Sequence, residues 1–546
     1  MAARLEHFQR AAADIGAHGD NDTLPFDIDN RFISDRGQEL AAIAFRFYDE
    51  LSRDSEANNA NKISELRVFS ERLLVPAGPA GFRTTTKIQP FWGIYLNGLG
   101  IAIAEALEDQ RSDSACSYRF LMTGEHELFN RDSSWRAFRE VSAAEARAAG
   151  DESIVVQSDI SSFYEHVSHH HIQNFIDDLF AGNKRIGNQV NALLSKFSAG
   201  RSFGLPVGGQ CSRILAELFL NQIDHQLSNA GLSWRRYVDD YVLIADSKSD
   251  AYRALSILSH TLADYGIALN KNKTIFLTTK HYADYVITQL GGNDDEAGKL
   301  REIDLKFDPY SDTATDDYEA LRETVESLQV HKLLNRELEK ALPDSFLVTQ
   351  IGRTLRLHEP TEAIQLAATL LTPGNLHAFR ASWSTIMRGI ATLRASDDFR
   401  EIFERLDRLL DGIPEHSMHL LRAEGSILHY LRCLRFVKTE ERAIFVRKTY
   451  ENTSSETVRR ACIDCWRRWA DRPAFTFLRN RWDQLNPECQ RLLWLAASSF
   501  GDQGDGFRRQ VRTTLNNNWR LGIERQNTPD YATTYRSWCD DTATDL

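Results

Sequence analysis

No stretch of this chain is apolar for long enough to cross a membrane. Its longest largely apolar runs, such as Ile101–Leu107, fall far short of the roughly 18 residues that a span requires. Met1 opens a polar, mixed-charge segment without an apolar h-region, which argues against secretion. Cysteine is scarce and odd in number, seven residues spread from Cys116 to Cys539, as expected of a reducing compartment rather than a disulfide scaffold. Positive charge is not in excess either. Lys and Arg number 65 against 77 Asp and Glu, a formal −12. That excludes a general basic coat for nucleic acid but not a basic groove, because local fields steer phosphates. No P-loop signature is present, so ATP hydrolysis has no support. The expectation is a cytoplasmic globular protein, whose 42% apolar and 26% charged residues build a core without disulfide or metal staples.

Its 546 residues suggest three to four structural units. Residues 1–65 read as a polar helical extension, with Leu40–Leu51 its clearest amphipathic stretch. Residues 66–158 mix short apolar runs with a turn at Pro76–Gly81. From Ser153 the pattern becomes β-like, in Ile154-Val-Val156 and again in Arg236–Ile244, with helical periodicity at Ile214–Leu227 and Ala254–Tyr265. Gly266 stands where a helix would end. A Gly-Gly-Asn-Asp-Asp-Glu stretch from Gly291 and the acidic Asp308–Asp317 run suggest a linker. Beyond it only helices are expected, including Leu321–Leu342, Met418–Leu434, Ser455–Trp469 and Cys489–Phe500, with a loose Asp540–Leu546 tail. Short Pro, Gly or Asn breaks suggest stacked helical pairs, HEAT-like in shape, though no strict period is visible.

The sharpest local feature is Tyr237-Val-Asp-Asp240, set inside apolar β-formers. Two adjacent carboxylates in such a run are costly to bury unless neutralised. Either a tight hairpin exposes them at its tip, or they serve a divalent metal. A third carboxylate, Asp159, ends the Ile154–Ser158 strand. If the two strands are neighbours, Asp159 and Asp239 converge at one sheet edge. Carboxylate oxygens suit Mg²⁺, which keeps waters and takes substrate phosphates as further ligands. Two such ions about 3.5–4 Å apart activate an attacking hydroxyl and stabilise leaving pyrophosphate.

With these residues in view, the chain resembles a reverse transcriptase. Asp159-Ile-Ser-Ser-Phe-Tyr164 resembles polymerase motif A, Gly204-Leu-Pro-Val-Gly-Gly-Gln-Cys-Ser212 motif B, Tyr237-Val-Asp-Asp240 motif C, and Leu262–Thr274 motif D. Arg83, Lys87 and Ser117-Tyr-Arg-Phe120 stand where motifs of the fingers are expected. The implied fold is α+β, a right-hand fingers–palm unit followed by an all-α helical-repeat domain. Its expected parts are an N-terminal helical extension (1–65), fingers (66–158), a palm with motifs A–D (159–300), and helical repeats (301–546).

The resemblance also implies roles. Asp159 and Asp239 would hold two Mg²⁺ ions (Mn²⁺ as an alternative), Asp240 would support them, and the Ile160 carbonyl would add a backbone ligand. Tyr164 matches the steric gate, whose ring excludes a ribose 2′-hydroxyl, beside Phe163. Lys273 would donate a proton to pyrophosphate, and Arg83 and Lys87 would grip the triphosphate. Motif B departs from the common Pro-Gln-Gly pattern, having Pro206-Val207-Gly208. Gln210 would then replace the missing glutamine contact, with Gly208 beside the nucleotide. Ser212-Arg213 likewise replaces the usual Ser-Pro.

This variant motif B resembles bacterial abortive-infection and "unknown group" defence-associated reverse transcriptases, which also carry a C-terminal helical array. The resemblance implies antiphage DNA synthesis from dNTPs in a bacterial cytoplasm, either protein-primed and template-independent or on a non-coding RNA. It also implies a homo-oligomer, a trimer or hexamer. Candidate priming hydroxyls are Tyr48, Tyr531 and Tyr535. A palm-type RNA polymerase and a non-catalytic nucleic-acid-binding scaffold are the alternatives; Tyr164 opposes the first and the three carboxylates oppose the second.

Other features have plainer readings. Cys462-Ile-Asp-Cys465 lacks a second pair and reads as packing rather than a zinc site. His169-His-His171 reads as a helix start. Arg459-Arg460, Arg467-Arg468, Arg508-Arg509, Trp466, Trp469 and Trp519 are candidates for nucleic-acid contact, or equally for core and surface ion pairs.

Overall fold

The computed structural model describes residues 2–21, 23–25, 27–53, 62–63, 65–78, 81–124, 127–290, 296–302, 314–340, 343–523 and 530–542. Residues 291–295 of the expected linker and most of the acidic Asp308–Asp317 run lie outside them, while Glu296 begins the helix Glu296–Glu302. At the centre runs the Pro90–Leu107 helix, started by Pro at its first turn and by Gln89, whose side chain accepts the Trp92 N–H at 3.4 Å. It is apolar on all sides and almost wholly buried, the pattern of an interior helix. Ile101–Leu107 belongs to it, and no described helix is long and apolar enough to cross a membrane.

Strands β1 (Ser70–Ala77) and β2 (Gly81–Ile88) form an antiparallel hairpin. A second, four-stranded antiparallel sheet has the order β4-β5-β3-β6, from β3 (Ile154–Asp159), β4 (Ser233–Tyr237), β5 (Asp240–Ala245) and β6 (Ile275–Thr278). Side chains alternate between its faces. Ile154, Val156, Tyr241 and Leu243 join the main core, while Val155 and Val242 join a smaller one with Phe138, Tyr282 and Val286. The expected Arg236–Ile244 strand is thus two strands broken by a turn at Val238-Asp239. The Lys248–Asp264 helix ends before Gly266, which has φ 74°.

Downstream the described residues are helical, but the breaks differ from those expected. Leu321–Leu342 is split into helices Ala314–Ser327 and Val330–Leu338. Helix Glu424–Leu434 begins six residues after Met418, and Cys489–Phe500 is α-helical only to Ala496. The terminal stretch is no loose tail as far as it is described. Tyr531–Thr542 is a helix whose Trp538 is fully buried, its ring 5.1 Å from Phe32; residues 543–546 lie outside the described set.

The helical region is fastened to the rest by buried polar contacts. Asp29, on the Asp27–Arg53 helix, receives Arg460 through both guanidinium nitrogens and Lys87 Nζ at 2.9 Å. Asp20 is the other partner of Lys87. Asp27 takes Arg432 and Arg435, and Glu71 on β1 caps the Glu456–Arg468 helix by accepting the Thr457 N–H at 2.8 Å. Arg460 is therefore a structural ion-pair partner rather than a phosphate ligand. Arg467 pairs with Asp464, Arg508 lies on the Trp494 face, and Trp466 and Trp519 are buried. Cys462 and Cys465 are buried too, the Cys465 thiol donating to the Leu431 carbonyl.

Candidate active site

Strand β3 pairs with β5 so that Asp159 stands opposite Asp240. The β4–β5 hairpin closes with Tyr237 opposite Asp240, leaving Val238 and Asp239 as its two-residue turn. Two-residue hairpins favour a positive φ, normally supplied by Gly or Asn. Here Val238 adopts φ 54°. A β-branched residue in that region stores roughly 1–3 kcal/mol, which its surroundings must offset. Ser117 Oγ accepts the Val238 N–H at 2.9 Å, and Arg236 Nη1 donates to the Val238 carbonyl at 3.1 Å. The Ile160 N–H donates to the Asp239 carbonyl at 3.1 Å, tying the turn to the end of β3. The Asp-Asp pair thus sits at a tight turn, and β3 brings Asp159 beside it.

Beneath this turn lies a neutral set of two guanidiniums and two carboxylates, all buried. Arg236 binds Asp224 at 2.5 Å and Glu217 at 3.0 Å; Arg111 binds Glu217 at 2.7 Å. Ser117 Oγ also donates to Glu217 at 2.5 Å. Burial pushes the Glu217 carboxyl up, but Arg236 and Arg111 outweigh it and hold it below its usual value. These supporting residues were not singled out from the sequence, because Arg111, Glu217 and Asp224 look like ordinary helix-surface charges until the fold brings them together. Removing the shared hydroxyl leaves the Val238 N–H unpaired, so Ser117→Ala should destabilise the protein by about 1–3 kcal/mol. The turn should loosen as well, lowering turnover more than nucleotide affinity; a melting curve with steady-state kinetics checks both.

Asp159 raises the proton affinity of both Asp239 and Asp240. Burial, then Asp159 and Asp240, push the Asp239 carboxyl up to about 6. Burial and Asp159 raise Asp240, which Lys273 and Arg139 partly oppose. Lys273 Nζ lies 3.1 Å from Asp159 Oδ2, and Asn270 Nδ2 3.3 Å from the same atom. Such a cluster calls for positive charge, and its hard oxygen donors are those a divalent cation prefers. Among the described residues no trio of His, Cys, Asp or Glu is gathered tightly enough to hold an ion unaided.

Tyr164 is half-buried beside this cluster, near enough that the Asp239, Glu217 and Arg213 charges act on its hydroxyl, which burial raises well above its usual value. Phe163, by contrast, is a core residue, 2% exposed and packed on Tyr164 and Phe219; it cannot line a substrate site. In the motif B loop, the Val207 carbonyl accepts the Thr86 N–H and Thr85 hydroxyl, both at 2.9 Å. The loop is thereby sewn to β2 through backbone, with no use of a residue 207 side chain. Gly208 has φ 121°, and a Cβ there would stand 2.2 Å from Asn21 Nδ2, so no other residue fits. Gln210 Oε1 accepts from Arg213 Nη1 at 2.8 Å, with that guanidinium 5.3 Å over the Tyr118 ring. His169 Nε2 lies 2.7 Å from the Gly204 carbonyl, a packing contact.

Several expected sites are elsewhere. Lys87 is 2% exposed at its side chain and locked between Asp20 and Asp29, so it cannot grip a triphosphate. Arg83 is exposed on β2, in a cleft shared with the helical region rather than with the carboxylates. None of the three candidate priming tyrosines is accessible. Tyr48 is 4% exposed, with its hydroxyl accepting the Ala3 N–H at 3.2 Å. Tyr531 and Tyr535 are buried, the latter donating to the Arg491 carbonyl at 3.2 Å. Amphipathic spacing placed Tyr48 on a helix without showing which face is covered.

Residues 103–291 match the reverse transcriptase (RNA-dependent DNA polymerase) family. No curated protein matches the sequence. Similar solved structures include telomerase from Candida albicans in complex with a TWJ fragment of telomeric RNA, 12% identical over 64% of this chain and 65% of that one, with a TM-score of 0.33. Apo telomerase from Candida tropicalis is also similar, 12% identical over 78% and 85% of the two chains, with a TM-score of 0.32. The chain thus spans about 65% of the length of the first of these. Every member of the carboxylate cluster falls inside the matched segment, so the site lies in the part of the chain that is similar to the reverse transcriptase family.

Proposed function

We propose that the chain polymerises deoxynucleotides by metal-assisted phosphoryl transfer and does so in antiphage defence. The observation that carries the chemistry is the convergence of Asp159 with Asp239 and Asp240 beside Tyr164. Asp159 and Asp239 would hold divalent cations, Mg²⁺ above all, with Asp240 and the Ile160 carbonyl in support. When bound, the cations would lower the charge barrier between the attacking hydroxyl and the triphosphate. Asp159 and Asp239 would present their oxygen atoms to those cations in a fixed arrangement, which the strained Val238 turn and the Ile160–Asp239 bond keep in register. Lys273, charged beside Asp159, would stabilise and protonate the departing pyrophosphate. Tyr164 sets the floor of the sugar pocket. The defence role is supported by the Gly204–Gly208 and Ser212-Arg213 variant of motif B and the helical region that follows.

The test is incorporation of labelled dNTPs or rNTPs by the purified chain with Mg²⁺, with and without co-purified RNA, resolved on denaturing gels. Growth from dNTPs and not rNTPs is expected. Equal use of rNTPs would favour a palm-type RNA polymerase instead. Tyr164→Ala should raise the rNTP-to-dNTP efficiency ratio by about 1–3 kcal/mol, roughly ten- to a hundredfold. An unchanged ratio would remove Tyr164 from the sugar site.

A further inference from the structure

The carboxylates share one face of the four-stranded sheet with residues that the site above leaves unused. Residues opposite each other in a ladder lie on one face, as do alternate residues along a strand. Tyr237, Gln157 and Val242 therefore share the face of Asp159 and Asp240. Two helices, Trp135–Ala149 and Thr279–Leu290, cover that face through the smaller core of Phe138, Val155, Val242, Tyr282 and Val286. Arg139 marks their edge toward the carboxylates. It is 2% exposed and donates to Gln157 Oε1 through both terminal nitrogens at 3.3 Å and to Gln289 Oε1 at 2.8 Å. Gln157 is two residues from Asp159, roughly 7 Å along the strand. Three rings surround the guanidinium: Tyr282 at 5.2 Å, Tyr285 at 5.5 Å and Trp135 at 5.6 Å. Tyr282 is buried, but Trp135 and Tyr285 are each 37% exposed. The Trp135 backbone N–H faces the Tyr237 hydroxyl, and Gln289 Nε2 donates to the Tyr285 hydroxyl at 2.5 Å.

Exposed rings pinned to a buried cation are ordered before anything binds them, which lowers the entropy cost of stacking a ligand there. Nucleobases stack on such rings regardless of sequence. Gln157 precedes Asp159 in the chain and Tyr164 follows it, so the carboxylates stand between the two rings and the sugar side of the site. Phosphoryl transfer brings an attacking hydroxyl and a nucleotide to the carboxylates from different sides. With Tyr164 on the nucleotide side, the rings lie on the side left for the attacking strand. We propose that Trp135 and Tyr285 form a shelf that stacks the 3′-terminal bases of the nucleic-acid strand being extended. Arg139 holds both rings in place, and the strand's last sugar then reaches the Asp159–Asp240 edge. This deepens the polymerase reading and rests on it for which end of the strand is held.

The test is fluorescence anisotropy of the full chain with short 5′-fluorescein-labelled DNA and RNA oligonucleotides of one sequence, in Mg²⁺ without nucleotide, over a range of added salt. Trp135→Ala/Tyr285→Ala should weaken binding at least about tenfold, the loss of roughly one stacked base. No phosphate contact is removed, so the slope of log affinity against log salt should stay as it is. Trp135→Phe/Tyr285→Phe keeps the rings and should keep most of the affinity. A second readout needs no variant: 2-aminopurine as the 3′-terminal base should be quenched on binding to the unaltered chain, and as the 5′-terminal base it should not. Preference for the DNA or the RNA oligonucleotide identifies the strand, and either supports the proposal. Absence of binding to both, unchanged affinity in the alanine variant, a changed salt slope, or equal quenching at both ends would overturn it. In steady-state extension the alanine variant should raise KM for the strand and leave KM for the nucleotide unaltered. A strand that stacks as expected but is never extended would count against the polymerase reading while leaving the shelf in place.

Discussion

Asp239→Asn should abolish nucleotide incorporation while leaving the fold intact. The side chain sits at the tip of the β4–β5 turn, where its carboxylate is one of three pressed together and its proton affinity is raised by burial and by Asp159 and Asp240. Asparagine preserves the shape but removes the charge that a cation needs. Loss of one charged ligand from a metal-assisted step is worth several kcal/mol, and about 4 kcal/mol is roughly a thousandfold in rate. Stability should move the other way or not at all. One of three mutually repelling charges is gone, and the Ile160–Asp239 backbone bond needs no side chain. The expected result is incorporation below about one thousandth of normal, with a melting temperature in metal-free buffer at or above the unaltered value. Retained incorporation would remove Asp239 from the chemistry, and a collapsed melting curve would assign it a structural role.

The second large effect is expected at the Asp29–Arg460–Lys87 cluster. All three side chains are buried, and they join the Asp27–Arg53 helix, strand β2 and the Glu456–Arg468 helix in one set of contacts. Removing one partner leaves an uncompensated buried charge, a loss of about 3–5 kcal/mol. Arg460→Ala should therefore lower stability by that amount and expose the helical region to limited proteolysis. The more apolar double replacement Asp29→Leu/Arg460→Met should recover a large part of it. Burial alone would raise the Asp29 carboxyl, but Arg460 and Lys87 overcome this and hold it well below its ordinary value. A depressed carboxylate contributes fully above its unfolded pKa and loses that contribution as pH falls through the folded one. Acid unfolding, followed by circular dichroism below about pH 4, should thus begin at higher pH in Arg460→Ala than in the unaltered chain. Superimposable acid curves would show that the cluster contributes nothing.

The carboxylate edge was legible because its signal is local. Apolar β-formers flank each aspartate, and sheet pairing needs only that the two strands meet. The fold of the motif B loop was legible as a pattern but not in its contacts: Val207 works through its carbonyl, which every residue possesses, so the sequence carries no mark of it. Lys87, Tyr48, Tyr531 and Tyr535 were misread for one reason. Long-range burial decides whether a cation or hydroxyl is available, and Asp20 and Asp29 lie 67 and 58 positions from Lys87. Among the paired arginines from Arg459 to Arg509 the same problem arises where the Asp partner comes from a distant helix, Asp29 for Arg460 and Asp540 for Arg508.

The packing of Phe32 against Tyr531, Tyr535 and Trp538 also has a consequence for biosynthesis. A nascent Asp27–Arg53 helix leaves the ribosome about 500 residues before the rings that cover it are made. At synthesis rates of roughly 5–20 residues per second, that interval is of order a minute. Through it, the helix must keep an apolar face open or shielded by something other than its final neighbours. Non-local contacts of this separation are slow to form. The Asp27–Arg53 helix thus waits for late-made sequence to complete its packing, which is finished only after Tyr531–Thr542 has been released from the ribosome and docked.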